Sequence, residues 1–215
     1  MTDKPTDKPA MAGESGTRRV LLATRNGKKL AELRRILEAE GLTGIEVVGL
    51  DAVPEFPEAP ETGATFEDNA TAKAADAARA TDLPAIADDS GLAVDALNGM
   101  PGVLSARWSG KHGDDQANLD LLLGQLTDVP DSRRSAAFVA AAALVLPDGS
   151  ESVVRGEWPG TIARAERGTN GFGYDPVFVP EGETRTSAEL TSEEKDADSH
   201  RGRALRKLLP HLKQL

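Results

Sequence analysis

Residues 136–146 read Ala-Ala-Phe-Val-Ala-Ala-Ala-Ala-Leu-Val-Leu, without one polar side chain. A membrane-spanning helix needs roughly 20 apolar residues, so a run this short is read as a buried strand. Pro147-Asp148-Gly149-Ser150 then gathers four turn-forming residue types. Residues 152–158 return as the second strand of a hairpin. The second half of the chain is thereby committed to antiparallel sheet.

The first half alternates instead. Residues 18–24 form an apolar run that breaks at Arg25-Asn26-Gly27, after which Leu30, Leu33 and Leu37 recur at helical spacing. Residues 45–50 read as a second strand, and a Pro-rich stretch, 54–60, leads to a helix over about 65–80. Thr65 and Asp68 mark its start in the pattern of a capping box. Residues 83–87 make a short strand that ends abruptly at Asp88-Asp89-Ser90-Gly91, and 116–126 is again helical. A last helix carries Leu205, Leu208, Leu209 and Leu212. The order predicts an α/β fold with a mixed sheet and no internal repeat. It forms one domain, 18–215, behind a polar, disordered tail, 1–17. In that tail Thr-Asp-Lys-Pro occurs twice, and Met11 is a candidate true start.

Composition narrows the chemistry. The chain has no cysteine, which removes disulfides, thiol nucleophiles and thiolate metal sites and suits a reducing, cytoplasmic setting. A net charge of −10 with no cluster of Lys and Arg argues against nucleic acid and against an anionic membrane as partners. Any metal must be held by oxygen or imidazole.

Four segments carry candidate chemistry. Asp88 and Asp89 at the end of a buried strand are costly unless a cation meets them, which points to a hard metal ion; a plain turn is the competing reading. Thr24-Arg25-Asn26-Gly27-Lys28-Lys29 lies between strand and helix, where free N–H groups and the helix dipole favour phosphate. It lacks the spacing of a Walker A loop. Phe172-Gly173-Tyr174-Asp175 sets two aromatics in flexible backbone, fit to stack on a base or simply pinned by packing. Lys195, His200 and Arg201 stand just before the final helix and offer donors. Glu61 is a candidate metal ligand, while Asn69 and Lys73, four apart on one helix face, point together toward a phosphate. A serine hydrolase built on Ser90 lacks the G-x-S-x-G elbow.

Taken in order, residues 22–33, 61–66, 85–92, 101–107, 171–176 and 199–202 resemble the inosine triphosphate pyrophosphatase family, the dITP/XTP pyrophosphatases or house-cleaning NTPases. The resemblance runs from about Val20 to Leu212. It implies a long mixed sheet flanked by helices, in two lobes with a central nucleotide-binding cleft, commonly as a homodimer. It implies Mg²⁺-dependent hydrolysis of ITP, dITP and XTP to the monophosphate and pyrophosphate.

By matching position, Asp89 is then the proton acceptor and a metal ligand, Glu61 the second metal ligand, and Ser90 a substrate contact. Thr24, Arg25, Asn26, Gly27, Lys28 and Lys29 hold the triphosphate, with Lys73 a further phosphate contact. Phe172, Gly173, Tyr174 and Asp175 embrace base and sugar, and Lys195, His200 and Arg201 approach the base. Many family members have Gly where this chain has Arg25, so a left-handed backbone there would be strained. Hypoxanthine and xanthine carry oxygen at C6 where adenine carries an amino group, and donors aimed there discriminate by orders of magnitude. Two rivals remain: a related pyrophosphatase of modified pyrimidines, as in the septum-formation inhibitor family, and a nucleotide-binding module without turnover.

Overall fold

The apolar run becomes β5 (Ser135–Val145), an interior strand of a seven-stranded sheet in the computed structural model, which describes residues 17–41, 44–57 and 60–215. The other strands are β1 (Arg18–Leu22), β2 (Ile45–Val48), β3 (Ala85–Val94), β4 (Met100–Pro101), β6 (Glu151–Ile162) and β7 (Phe178–Pro180). The helices are α1 (Gly27–Ala39), α2 (Phe66–Thr81), α3 (Asp115–Gln125), α4 (Ser192–Asp198) and α5 (His200–Leu212). The sheet order is β2-β1-β3-β5-β6-β7, with β4 beside β3. β1 pairs parallel with β2 and β3, and every other pairing is antiparallel. The expected mixed sheet flanked by helices is the one found.

After Ser135, β5 is wholly apolar because helices cover both of its faces. Ala140, Ala142 and Leu144 share a core with Leu33 and Ile36 of α1 and Leu205 and Leu208 of α5. Val139, Ala141 and Ala143 face the other way, onto Ala70, Ala74 and Ala77 of α2. Farther along the strands, Leu92, Phe138 and Trp158 join Leu119 and Leu122 of α3 and Phe178 in a third core. β3, β5 and β6 therefore run from the first two cores to the third, and the cleft opens between.

The capping box forms as expected: the Thr65 hydroxyl accepts the Asp68 N–H, and the Asp68 carboxylate accepts the Thr65 N–H, each at 3.1 Å. At Gly156 of β6, a Cβ would collide with the His200 carbonyl and the Ala204 N–H. The missing side chain lets the start of α5 lie against the sheet.

Three expectations are corrected. β3 does not stop at Asp88 but continues to Val94, so Asp88-Asp89-Ser90-Gly91 is strand and not turn. β5 supplies an unbroken partner, with Asp88 opposite Ala142 and Asp89 opposite Ala141, and this ladder overrides local turn preference. β2 ends at Val48, and Leu50 begins a single 3₁₀ turn. His200 and Arg201 form the first turn of α5, and Lys195 belongs to α4, rather than all three preceding the last helix. Of the expected tail, residues 1–16 lie outside the described residues.

Candidate active site

The acids sit where β3 has an open edge. β1 pairs with β3 only as far as Ile86, and β4 begins pairing at Ala93. Residues 88–91 thus keep β5 on one side and line the cleft on the other, before Leu92 N–H is taken up by Ser105 Oγ at 2.9 Å. Successive side chains of a strand point to opposite faces. Asp88 turns toward α1 and α5, and Asp89 toward α2.

Asp88 is 4% exposed and accepts an ion pair from Lys29 of α1 at 3.1 Å and from Arg201 Nε at 3.3 Å. Burial would raise the pKa of this carboxyl, but Lys29, Arg201 and Lys73 outweigh it and hold the group well below the usual carboxylate range. Lys29 is itself pushed down, by burial first and by Arg201 and Lys73 among its neighbours. Arg201 binds Glu32 of α1 at 2.7 Å and donates to Ser90 Oγ at 2.8 Å.

On the opposite face, Asp89 is 6% exposed and accepts from Asn69 Nδ2 at 3.0 Å and Lys73 Nζ at 3.2 Å. Lys73 also reaches Glu61 Oε1 at 2.8 Å. Asn69 and Lys73 do share a helix face, but they point at carboxylates. Burial raises the Asp89 carboxyl above its ordinary pKa despite Lys73 and Lys29. Burial also pushes Glu61 up, but Lys73 and then Lys29 and Arg107 overcome it and leave its pKa lowered. Arg107 holds Glu61 through Oε2 and the backbone carbonyl, both at 3.3 Å.

The phosphate-loop candidate is a capped helix start. Asn26 Oδ1 accepts the N–H groups of Lys28 and Lys29 at 3.0 and 3.2 Å, and Thr24 Oγ1 accepts the Asn26 N–H at 3.2 Å. Arg25 does not adopt positive φ, and its guanidinium donates to the Phe56 carbonyl at 2.9 Å. The arginine is therefore accommodated without backbone strain.

The aromatic segment lies across the cleft. Asp175 accepts the Phe172 N–H at 2.8 Å, Ser187 Oγ at 2.7 Å and Lys195 Nζ at 2.6 Å. The Phe172 ring lies 5.2 Å from the Arg201 guanidinium and 5.4 and 5.5 Å from Lys195 and Lys28. Tyr174 is buried with its hydroxyl donating to the Ser105 carbonyl at 2.9 Å, which makes it a strut of the third core. His200 stacks on Phe138 at 4.9 Å and 13°, and its Nδ1 is buried without a hydrogen-bond partner.

These groups line one cleft of about 660 Å³, within the usual range for a small-molecule site. Thr24, Arg25, Asn26, Lys29, Glu61, Lys73, Asp89, Ser90, Phe172, Gly173, Tyr174, Asp175, Lys195, His200 and Arg201 all reach it; Gly27 and Lys28 do not line it. Six cations against five carboxylates face the cleft, so it does not share the chain's net charge of −10.

The oxygen donors suit a hard divalent ion. Glu61 and Asp89 converge on one ammonium, which stands in for a cation between them, and Asp88 Oδ1 is buried without a partner. Among the described residues no three acidic or imidazole groups form a complete metal cage.

Sequence reasoning gave no role to Glu32, Arg107 or Asp115. Lys29, Glu32 and Ile36 fall on one helix face at i, i+3 and i+7, which was a legible signal for Glu32. Arg107 and Asp115 had none of that kind, because both reach the cleft through tertiary placement.

A mixed sheet split around a charged, ligand-sized cleft defines the architecture. Residues 20–211 match the model of the Ham1 family, and the chain belongs to that family. It is 70% identical to the dITP/XTP pyrophosphatase of Nocardia farcinica over 197 residues, 92% of this chain and 96% of that protein. Among solved structures it is similar to the nucleoside-triphosphatase (dITP/XTP pyrophosphatase) of Mycobacterium abscessus, at 66% identity and a TM-score of 0.74, covering 90% of this chain and 99% of that one. A HAM1 protein from Coxiella burnetii matches at 42% identity and a TM-score of 0.80, over 92% of this chain and 100% of that one.

Proposed function

We propose that this protein hydrolyses deaminated purine nucleoside triphosphates (ITP, dITP and XTP) to the monophosphate and pyrophosphate. One observation carries the reading: in a single cleft, lysines and arginines able to neutralise a polyphosphate stand beside Asp89 and Glu61, which converge on one cation position. Relatives named dITP/XTP pyrophosphatases, at 60–70% identity, support the substrate class.

In this reading Thr24, Arg25, Asn26 and Lys29, which reach the cleft around the start of α1, and Lys73 of α2 bind the triphosphate, aided by the helix dipole. Asp89 and Glu61 hold Mg²⁺. When bound, the ion neutralises phosphate charge and acts as a Lewis acid. Asp89 orients the attacking water and takes its proton. Water adds, the α–β anhydride bridge breaks, and monophosphate and pyrophosphate leave.

Phe172 offers its ring to the base. Lys195 and Arg201 present donors to the C6 oxygen, against which the amino group of adenine would leave donor facing donor. His200, neutral because burial and then Arg201 and Lys195 lower its pKa, shapes the same wall. The family resemblance supports a cytoplasmic homodimer whose folded unit spans residues 18–215.

The test compares ITP, XTP, GTP, ATP and a methylated UTP with Mg²⁺ and identifies the product. Turnover of ITP and XTP with pyrophosphate release is expected. Equal turnover of ATP and ITP refutes the specificity, and activity confined to the pyrimidine transfers the protein to the rival class.

A further inference from the structure

Asp115 is the first residue of α3, far in sequence from the aromatic segment. Its Oδ2 accepts the Gly173 N–H at 3.1 Å across 58 residues, and both residues line the cleft. We infer that Asp115 is a positioning residue, which clamps the Gly173 amide and so fixes the loop that carries Phe172. The inference rests on the proposed function of the cleft.

The loop calls for such a clamp because its backbone is free to turn on either side of Phe172. Gly171 and Gly173 both adopt positive φ, +76° and +61°, where glycine is conformationally freest. Two other bonds hold the loop: Asn170 N–H donates to the Ala188 carbonyl of a separate segment at 3.0 Å, and Phe172 N–H to Asp175 within the loop at 2.8 Å. The Gly173 N–H reaches instead to another element. Two adjacent amides are thus gripped by two carboxylates, one inside the loop and one outside it. Hydrogen bonds to an ionised acceptor are the stronger kind.

The outer carboxylate stands on a rigid support. Asp114 caps α3 by accepting the Ala117 N–H at 3.3 Å, and Leu119 and Leu122 are fully buried. Buried Asn118 accepts the Ser109 N–H at 2.7 Å. A second strut runs from Gln116 Nε2 to Glu166 at 2.9 Å, ahead of the loop. Releasing the Gly173 amide lets the Phe172 ring drift from its place over Arg201 and Lys195. Base binding suffers, while Asp89, Glu61 and the lysines on the far side of the cleft are untouched.

The full-length protein is compared with Asp115→Ala and Asp115→Asn by two measurements. Steady-state kinetics on ITP with Mg²⁺ should show KM raised about tenfold in Asp115→Ala, the scale of one charge-assisted hydrogen bond, with kcat within roughly twofold. Asp115→Asn keeps an acceptor oxygen and should restore KM to near the original value. Hydrogen exchange on the nucleotide-free protein should show faster exchange in residues 170–174 of Asp115→Ala and little change in Asp115→Asn. An unchanged KM or unchanged exchange in Asp115→Ala overturns the inference, as does an asparagine variant impaired as badly as the alanine. If the unaltered protein leaves ITP intact, the proposed function fails. The exchange comparison still decides the clamp.

Discussion

Arg201→Met removes a guanidinium that joins α1, β3 and α5. Arg201 and Glu32 are 4% and 3% exposed, and the Glu32 Oε2 contact with Arg201 is 2.7 Å. Glu32 Oε1 is already without a partner, so loss of Arg201 strands a buried carboxylate. Asp88 fares better, because Lys29 remains 3.1 Å away. Breaking one side of a buried pair costs about 3–5 kcal/mol. In a protein of this size each kcal/mol moves the melting midpoint by about 2–4 °C, which gives a fall of about 6–20 °C. Adding Glu32→Gln removes the stranded charge and should recover at least about half of the loss. Urea unfolding and thermal melts without nucleotide measure both variants. A loss under about 1 kcal/mol, the scale of an exposed pair, refutes the reasoning. So does a double variant no more stable than the single one.

Asp89→Asn should lower kcat on ITP by about 10²–10⁴, the usual range for a lost general base, while binding of IMP changes far less. Unimpaired turnover removes Asp89 from the chemistry. His200 titrates well below its ordinary value of 6.5, from burial first and then from Arg201 and Lys195. Below that pH the unfolded chain takes up a proton and the folded chain does not, so stability falls as pH drops and levels off above about 6.5. This one group contributes up to about 1.4 kcal/mol per pH unit. Urea unfolding across about pH 5–7 should therefore give His200→Gln a shallower slope than the unaltered protein; parallel slopes would count against the neutral buried imidazole.

Much of the frame was legible because it is written in local chemistry. The β5 run, the leucines of α1 and α5 and the Thr65–Asp68 cap each act within a few residues, and each formed the expected element. The acid pair was legible as a site, but its strand was expected to end there, with a turn as the competing reading. Turn propensity is a local quantity, whereas the β3–β5 ladder that holds Asp88 and Asp89 extended comes from a segment about 50 residues away. Tyr174 shows the same limit. Its place in the cleft wall was legible, but that its hydroxyl also ties the wall to the Ser105 carbonyl was not.

The sequence alone determined which residue types the cleft can use: oxygen donors for a hard ion, lysines for phosphate, and a phenylalanine in a glycine-rich loop. The tertiary structure decided how they combine. Where β1 stops pairing and β4 has yet to begin, β3 is left with one open edge, and its alternating side chains send Asp88 and Asp89 to different helices. That division depends on strand register and on where neighbouring strands end. Both are set by long-range packing, and no window of residues contains them.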